Sequence, residues 1–384
     1  MTSLDDRIRR PGPKKLLALD GGGIRGVLSL EVLKEVEKQL RLAADDPDYR
    51  LADYFDYIAG TSTGGIIAST LAVGMSVDEV LDFYERCGSS MFEKARLLKR
   101  LLYYYNSEVL TTQLKTVLGA DTTLGSPKIK TLLLLVMRNA TTDSPWPVSN
   151  NPYAKYNHLD HPDCNLKLPL WQLARASAAA PTYFQPETIP IGGRSFVFVD
   201  GGITVHNNPA FQMFLMATVD RYWQNASPPT RPWDTGTDKM LIVSVGTGTN
   251  ARANEGLKPG QMNLLFHATR IPAALMFAAL NEQDFLCRVF GECVFGDPLD
   301  TEVGNMAGSI GPLREKLFRF VRYNGDLTQS GLAELGCGDI ISERVQKLDS
   351  VAAIPELRRI GRAIAEQKVK PEHLNLNIFK PLSR

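Results

Sequence analysis

Short apolar runs recur along the first two thirds of the chain, and most of them lead into glycine-containing turns. They lie at residues 15–20, 55–59, 129–137, 196–199 and 239–245. A short apolar run followed by a turn signal is typical of a buried parallel strand. Several of these runs lead into segments with apolar positions about 3.6 residues apart, for example from Val27 to Leu40. The alternation predicts an α/β protein with a parallel sheet covered by helices.

The pattern changes near residue 250, which suggests three regions. Residues 1–13 form a polar arm, and residues 14–250 carry the strand, turn and helix pattern. Residues 251–384 begin with a polar connector and continue with mostly helical patterns, including an amphipathic basic helix at 351–368 and a strand-like alternation at 318–323. We predict that this last region packs on residues 14–250 as an α-rich extension, and a lid, a regulatory element or a membrane contact are its candidate roles.

Composition narrows the class of protein. The chain has 384 residues, 44% hydrophobic and 22% charged, with a net charge of +1, so nothing predicts binding to a nucleic acid polymer. Five widely spaced cysteines favour free thiols in a reducing compartment, and the five histidines show no metal-ligand spacing. The N-terminus lacks the apolar core of a signal peptide, and the run at 132–137 is far short of a membrane span. We therefore expect a cytoplasmic protein.

A serine lies between small residues immediately after the second apolar run. Gly60-Thr61-Ser62-Thr63-Gly64 follows the strand and precedes an apolar helix. This pattern is typical of a nucleophile elbow, in which a sharp turn exposes the serine hydroxyl at the start of a helix. Five-residue patterns with two glycines also occur by chance, so an ordinary turn is the alternative.

The turn after the first run is rich in glycine and allows two interpretations. Gly21-x-Gly23-x-x-Gly26, between a strand and a helix, satisfies the local pattern of a dinucleotide-binding loop. That pattern expects an acidic residue at the end of the next strand, whereas the next strand here leads into the Ser62 turn. The other interpretation is a nest of backbone N–H groups that faces a developing anion. We favour the nest, with both loops at the carboxyl edge of the sheet.

A serine nucleophile needs a group that accepts its proton. Asp200-Gly201-Gly202 follows a predicted core strand, so a partly buried Asp200 could accept the proton directly. An Asp-Gly turn without a catalytic role is the alternative. His206 is interpreted as a loop histidine, and His267 and His373 fall outside the predicted sheet core.

The segment from Met91 to Tyr105 is basic and aromatic. A solvated helix followed by a buried aromatic turn would explain it, and so would a patch that touches lipid head groups, since basic amphipathic segments can lie on membranes.

Four blocks, in order, resemble the signature blocks of the patatin-like phospholipases. They are Asp20–Gly26, Gly60–Gly65, Ala174–Phe184, and Asp200–Gly202 with Asn207–Pro209 behind it. Residues 244–248 resemble the family's last core block. The resemblance spans roughly residues 15 to 250 and implies a three-layer α/β/α fold around a mostly parallel sheet.

The resemblance also implies a mechanism. Ser62 would be the nucleophile and Asp200 the base of a Ser-Asp dyad, with Gly60 and Gly64 shaping the elbow. The oxyanion hole would correspond to backbone N–H groups with an arginine beside them, at Gly22, Gly23, Ile24 and Arg25. The implied reaction is hydrolysis of acyl esters of glycerophospholipids through an acyl-serine, with no cofactor and no metal.

Partners follow from the same resemblance. We expect fatty-acyl esters as substrates and peripheral contact with the inner face of the membrane. Some bacterial members of the family are antiviral effectors that a cyclic dinucleotide activates, so such an activator is one alternative. A catalytically silent binding protein of the same fold is the other. A homo-oligomer is possible, and specificity for head group and acyl position is not encoded in any pattern we identify.

Overall fold

The computed structural model describes residues 3–91, 105–228, 230–249, 256–262 and 264–381, and the side chains of 89–91 and 264–273 are left aside. The basic and aromatic segment predicted from Met91 to Tyr105 lies outside these ranges except for its two end residues. Its two interpretations therefore stay predictions.

Within the described residues, nine strands form one mixed, mostly parallel sheet. In chain order they are β1 (Lys14–Leu19), β2 (Tyr57–Thr61), β3 (Leu132–Asn139), β4 (Ser144–Ser149), β5 (Glu187–Ile191), β6 (Arg194–Asp200), β7 (Met240–Val245), β8 (Glu292–Phe295) and β9 (Arg319–Tyr323). The spatial order is β5-β6-β3-β2-β1-β7-β9-β8, with β4 also paired to β3. The pairs that involve β1, β2, β7, β8 and β9 are parallel, whereas β4, β5 and β6 run antiparallel to their partners.

Helices cover both faces of this sheet. They are α1 (Leu4–Arg9), α2 (Gly26–Ala44), α3 (Leu51–Tyr54), α4 (Thr63–Ala72), α5 (Val77–Met91), α6 (Ser107–Leu118), α7 (Leu170–Ser177), α8 (Ala210–Thr218), α9 (Leu264–Phe290), α10 (Gln329–Glu334), α11 (Ser342–Val345), α12 (Ile354–Lys368) and α13 (Pro371–Leu374). Alternate residues of each strand enter opposite cores, as the two-residue side-chain period requires. Leu17 and Ile58 pack with α2, α4, α5 and α12, whereas Leu16 and Tyr57 pack with α8 and α9. The predicted three-layer fold is confirmed.

One edge of β3 carries two different strands, end to end. Leu134–Val136 pair with both β2 and β4, and Met137–Asn139 pair with both β6 and β4. Since a strand has only two edges, β2 and β6 share the edge opposite β4. Strand β3 therefore continues past the end of β2 and takes β6 in its place. This register brings the ends of β2 and β6 together.

The structure differs from the sequence prediction at two places in the sheet. The pattern from 143 to 161 predicts a polar loop, yet Ser144–Ser149 form β4. Pro145 and Pro147 obscure this strand, although an outer strand tolerates proline because one of its edges is unpaired. The last third of the chain is rich in helix, as predicted, and the strand-like alternation at 318–323 corresponds to β9 (Arg319–Tyr323). The difference is that β9 and β8 extend the same sheet. The domain boundary at residue 250 stays a prediction.

Candidate active site

Ser62 occupies a sharp turn between β2 and α4. Its backbone has φ 56° and ψ −125°, a region that non-glycine residues seldom adopt. A Cβ atom added to Gly60 would lie 2.0 Å from the carbonyl oxygen of Gly64, and one added to Gly64 would lie 2.3 Å from the carbonyl oxygen of Leu19. Glycine at these two positions therefore allows the turn to close tightly. The strand, turn and helix that the pattern predicts are present.

The strained turn is held by a serine from another element. The Ser62 N–H donates to Ser177 Oγ at 2.9 Å, and the Ser177 hydroxyl donates to the Val136 carbonyl at 2.6 Å. Ser177 ends α7 and is fully buried. In the sequence this helix end is made mostly of small residues, Ala174 to Ala180, which predict only that a neighbouring element can approach it closely. Those residues permit α7 to pack closely against the turn. This is the sign in the sequence from which the contact could have been expected.

Ser62 and Asp200 are in direct contact. The Ser62 hydroxyl donates to Asp200 Oδ2 at 2.6 Å, and Asp200 Oδ1 accepts the Gly202 N–H at 2.6 Å. Thr61 pairs with Val136 and Asp200 with Met137, which are consecutive residues on the shared edge of β3. The strand register thus brings together two side chains that lie 138 residues apart in the sequence.

Burial changes the chemistry of this aspartate. Asp200 is 4% exposed. Burial raises the pKa of its carboxyl to about 6, and the hydrogen bonds from Ser62 and Gly202 oppose the shift. A carboxylate with such a pKa is mostly ionised at neutral pH and accepts a proton more readily than an exposed aspartate does. The pair can therefore transfer a proton from serine to aspartate.

Among the described histidines, neither His206 nor His373 contacts the Ser62–Asp200 pair. His206 lies on the loop after Asp200 and contacts Gln283 of α9, and burial lowers its pKa. His373 meets the Tyr323 hydroxyl at 3.0 Å, in the core near α13. The side chain of His267 lies outside the described residues.

The glycine loop after β1 passes directly beside Ser62. A Cβ atom added to Gly21 would lie 3.1 Å from Ser62 Cβ, and one added to Gly22 would lie 2.1 Å from Thr247 Oγ1. The loop is fixed by neighbours on both sides, because Gly21 N–H donates to the Asn207 carbonyl and Thr247 Oγ1 donates to the Gly21 carbonyl. The two loops that were expected to meet at the carboxyl edge of the sheet do so.

The three predicted oxyanion donors differ in their present state. The Ile24 N–H donates to the Leu348 carbonyl at 2.8 Å, so a substrate cannot use it in this conformation. The amides of Gly22 and Gly23 donate to no acceptor within the described ranges. Their role in the oxyanion hole, and that of Ile24, stays a prediction.

Arg25 lies at the end of the same loop. Its guanidinium donates to the carbonyls of Gly22 and Gly248 at 3.4 and 3.3 Å. Burial lowers its pKa to about 10, while Asp20 opposes the shift. This arginine therefore remains a cation at the end of the glycine loop.

The described residues contain no group of three or more histidine, cysteine or acidic side chains that could hold a metal ion. All five cysteines are buried, and none of them is in a disulfide.

A comparison with family models matches residues 17–214 to the patatin-like phospholipases, a match that covers more than half of the chain. The chain belongs to the patatin-like phospholipase family. Membership supports a lipid-hydrolysing activity at the level of the family. The family match ends before β7, so the Gly246–Thr249 turn and all of β8 and β9 lie outside it.

Curated relatives come from plants and bacteria. Patatin-like protein 4 of Arabidopsis thaliana is 27% identical over 335 residues, which cover 76% of this chain and 80% of the relative. Patatin-like protein 2 of Oryza sativa subsp. indica is 30% identical and covers 69% of each chain. A cGAMP-activated phospholipase of Escherichia coli (strain TW11681) is 34% identical over 204 residues, which cover 51% of this chain and 54% of the relative.

Among solved structures, human GIVD cytosolic phospholipase A2 is similar to 98% of this patatin-like chain, with 60% of the human chain covered, 13% identity and a TM-score of 0.49. In the portion of the chain that the structure describes, every helix is too short or too polar to span a lipid bilayer.

Proposed function

We propose that this patatin-like protein hydrolyses carboxylic esters of membrane glycerophospholipids through an acyl-serine on Ser62. The observation that carries the proposal is the 2.6 Å hydrogen bond from the Ser62 hydroxyl to the buried carboxylate of Asp200. Asp200 accepts the hydroxyl proton while Ser62 Oγ attacks the ester carbonyl carbon. The same carboxyl group then protonates the departing alcohol. Hydrolysis follows when Asp200 takes a proton from water, which attacks the acyl-serine.

Backbone groups stabilise the oxyanion in this proposal. The amides of Gly22 and Gly23 lie on the loop that touches Ser62 and have no acceptor among the described residues. The first turn of α4 adds the positive end of its helix dipole at the serine. Arg25, at the end of the glycine loop, contributes a fixed positive charge. Preorganised donors of this kind supply a large share of the rate enhancement in acyl transfer.

An activity assay with matched variants tests the dyad. Wild type, Ser62→Ala and Asp200→Asn are compared on a soluble p-nitrophenyl ester and on a fluorescent phospholipid, with Ser227→Ala as a control at an exposed serine. We expect both dyad variants to lose about a thousandfold in kcat, and a fluorophosphonate to label wild type and the control but not Ser62→Ala. Equal activity in all four proteins would rule out the dyad, and absence of labelling in wild type would favour a silent binding protein.

Contact with a membrane surface belongs to the same proposal. Met276 of α9 lies 3.6 Å from the Cβ position of Gly202, beside the catalytic aspartate. Ile203 and Val205 follow Gly202 in the chain and leave 38% and 52% of their surface exposed, and Leu275 and Phe277 flank Met276 and leave 64% and 36% exposed. Exposed apolar side chains near a site can form a surface that meets lipid. We call Ile203, Val205, Leu275 and Phe277 the apolar rim and propose that it contacts the bilayer.

A second candidate is a phospholipase that a cyclic dinucleotide activates. The hydrogen bond from Ile24 to Leu348 favours it, because a segment near the carboxyl terminus then controls one predicted oxyanion donor. The similarity to a cGAMP-activated phospholipase points the same way. Phospholipid hydrolysis is measured with and without cGAMP, and binding is followed by calorimetry. Full activity of the purified protein alone, without cGAMP binding, would exclude this candidate.

A further inference from the structure

A cluster of four buried charged side chains lies between the sheet and α9, at the residue where the glycine loop begins. Asp20 follows β1, Arg322 belongs to β9, and Asp284 and Arg288 belong to α9. Asp20, Arg322 and Arg288 are each 1% exposed, and Asp284 is 6% exposed. None of these residues touches the Ser62–Asp200 pair, and two of the three elements lie beyond the family match.

Arg322 binds Asp20 with both ends of its guanidinium. Nη1 donates to Asp20 Oδ1 at 2.9 Å and Nη2 donates to Asp20 Oδ2 at 2.5 Å, while Nη1 also donates to Ser244 Oγ at 2.7 Å. A two-point contact fixes the orientation of the carboxylate as well as its position. On the other side of the cluster, Arg288 Nε and Nη2 donate to the two oxygens of Asp284 at 2.7 and 2.9 Å.

The stability of the fold does not by itself explain this pair. Both charges are removed from water, and the cost of desolvation often cancels the attraction between buried partners. Burial accordingly raises the pKa of Asp20, although Arg322 opposes the shift. An apolar pair of similar volume would stabilise a core equally well. A bidentate ion pair adds a defined geometry at Asp20, which an apolar pair would not give.

Asp20 is the residue from which the glycine loop begins. The next residue, Gly21, lies against Ser62, and the two after it carry the amides without acceptors. These glycines have no side chains to anchor them, and φ of Gly23 is +59°. The direction of their N–H groups therefore depends on how firmly the ends of the loop are held. At the Asp20 end the side-chain anchor is Arg322.

We propose that Arg322 is a positioning residue for the reaction, which orients the amides of Gly22 and Gly23 toward the oxyanion by its two-point contact with Asp20. The inference rests on the function proposed above and extends it to the last third of the chain. Misplacement of reacting groups by about 1 Å can cost about a hundredfold in rate. Loss of this orientation should lower kcat and leave KM nearly unchanged, because the oxyanion forms only in the transition state.

The test replaces the charged pair by a neutral pair of similar size. Asp20→Asn with Arg322→Gln removes both charges of the bidentate pair together, so neither partner is left as a buried charge without the other. Arg25 loses the attraction of Asp20 in this variant, and Arg322→Lys, which keeps Asp20 charged, separates that effect from the loss of the two-point contact. The matched control is Asp339→Asn with Arg359→Gln, which neutralises an exposed bidentate pair in the same third of the chain. For each protein, kcat and KM are measured on the soluble ester, together with the rate of fluorophosphonate labelling per folded site and the melting temperature.

We expect the neutral pair to lower kcat and the labelling rate about 10- to 100-fold, with KM changed by less than about threefold. The control should match wild type in all of these measurements. Arg322→Lys keeps the charge but loses the two-point contact, so it should fold and give an intermediate kcat.

Wild-type kcat in the neutral pair or in Arg322→Lys would overturn the proposal, as would a loss of kcat that merely follows the folded fraction. If the neutral pair fails to fold, Arg322→Lys decides alone by the same criterion. The two proposals fail differently. Full activity of Ser62→Ala would reject the function and this inference together, whereas an inactive Ser62→Ala beside an unaffected neutral pair would reject only the role of Arg322.

Discussion

Asp200 combines two demands that usually oppose each other. As the proposed base, it must be close enough to Ser62 to take a proton, and it must remain basic enough to hold one. Burial meets both, because it brings the carboxylate into contact with the hydroxyl and raises its pKa to about 6. An imidazole has a similar pKa without burial, so one buried carboxylate can do the work for which many serine hydrolases use histidine.

This pKa sets the expected dependence of activity on pH. Asp200 acts as a base only when it is ionised, so kcat/KM should fall about tenfold per pH unit below pH about 6 and level off above it. The profile should be measured with the soluble ester between pH 4.5 and 8.5, with melting curves as a control for unfolding. A wild-type profile that is flat through pH 6 would contradict Asp200 as the base.

Ser177 provides a second test at the scale of single residues. Ser177→Ala leaves the Ser62 N–H without its acceptor inside the core, which costs about 1–3 kcal/mol. We expect a lower melting temperature and at least a tenfold lower kcat, because the strained turn loses its external hydrogen bond. Ser69→Ala is the control, since Ser69 is equally buried but donates only to the Gly65 carbonyl within α4. If Ser177→Ala matches this control, Ser177 has no role in holding the turn.

These residues also show what a sequence can and cannot reveal. The sequence reveals Ser62, Gly60, Gly64 and the glycine loop, because a tight turn requires glycine or other small residues at neighbouring positions. Asp200 is visible only through the Gly-Gly that follows it and the family resemblance. Ser177 and Arg322 act through pairings between distant segments, so no local pattern marks them. In particular, nothing in the strand-like stretch at 318–323 distinguishes Arg322 from a solvent-exposed arginine.

Among the elements, α9 connects two regions of the molecule. Its middle carries Leu275 and Phe277 of the apolar rim, and the segment about two turns closer to its C-terminal end carries Asp284 and Arg288 of the buried cluster. The sequence from 264 to 280 is visibly apolar, but it does not show where α9 packs in the fold. That depends on β9, because this strand extends the sheet on which α9 packs.

Charged substitutions on the apolar rim should separate hydrolysis at a membrane from hydrolysis in solution. Burying one such side chain in lipid contributes about 1.5–3 kcal/mol, so Leu275→Glu and Phe277→Glu should lower hydrolysis of phospholipid vesicles about tenfold or more. Activity on the soluble ester should change less than twofold. Vesicle flotation measures binding directly.

The control for the rim is Ile310→Glu. Ile310 is apolar and 95% exposed, and its neighbour Gly311 lies against Val289 near the far end of α9. We expect no change in either assay. Equal loss on vesicles in the control and in the rim variants would mean that any added negative charge weakens binding, and the rim would then have no special role.

At the scale of the whole molecule, the sheet is built from both ends of the chain. β1 lies between β2 and β7, and β9 and β8 extend the sheet on the β7 side. Strands β7 and β9 pair through five residues, and α12 packs on α2 with Gly361 against the Leu28 backbone. A change in sequence composition near residue 250 suggests a boundary, but composition does not show which strands pair across it.

Truncation tests that boundary. A chain that ends at residue 250 exposes the edge of β7 and the face of α2 that α12 covers, so we expect aggregation or a melt without cooperativity. Size-exclusion chromatography and thermal unfolding would measure this. Coexpression of residues 251–384 should restore a soluble complex. A cooperative melt of residues 1–250 alone would show instead that the predicted domain is independent.

The late position of Arg322 has a consequence for the cell that makes this protein. A ribosome adds about 5–20 residues per second, so the stretch from Asp200 to Arg322 takes roughly 6–24 seconds to synthesise. During that interval the serine and its base both exist in the nascent chain, while the anchor of the glycine loop does not. If the proposed roles of Ser62 and Arg322 hold, the nascent chain should react slowly until β9 has been made. Chains stalled before β9 should react with fluorophosphonate at least 10- to 100-fold more slowly than the released protein.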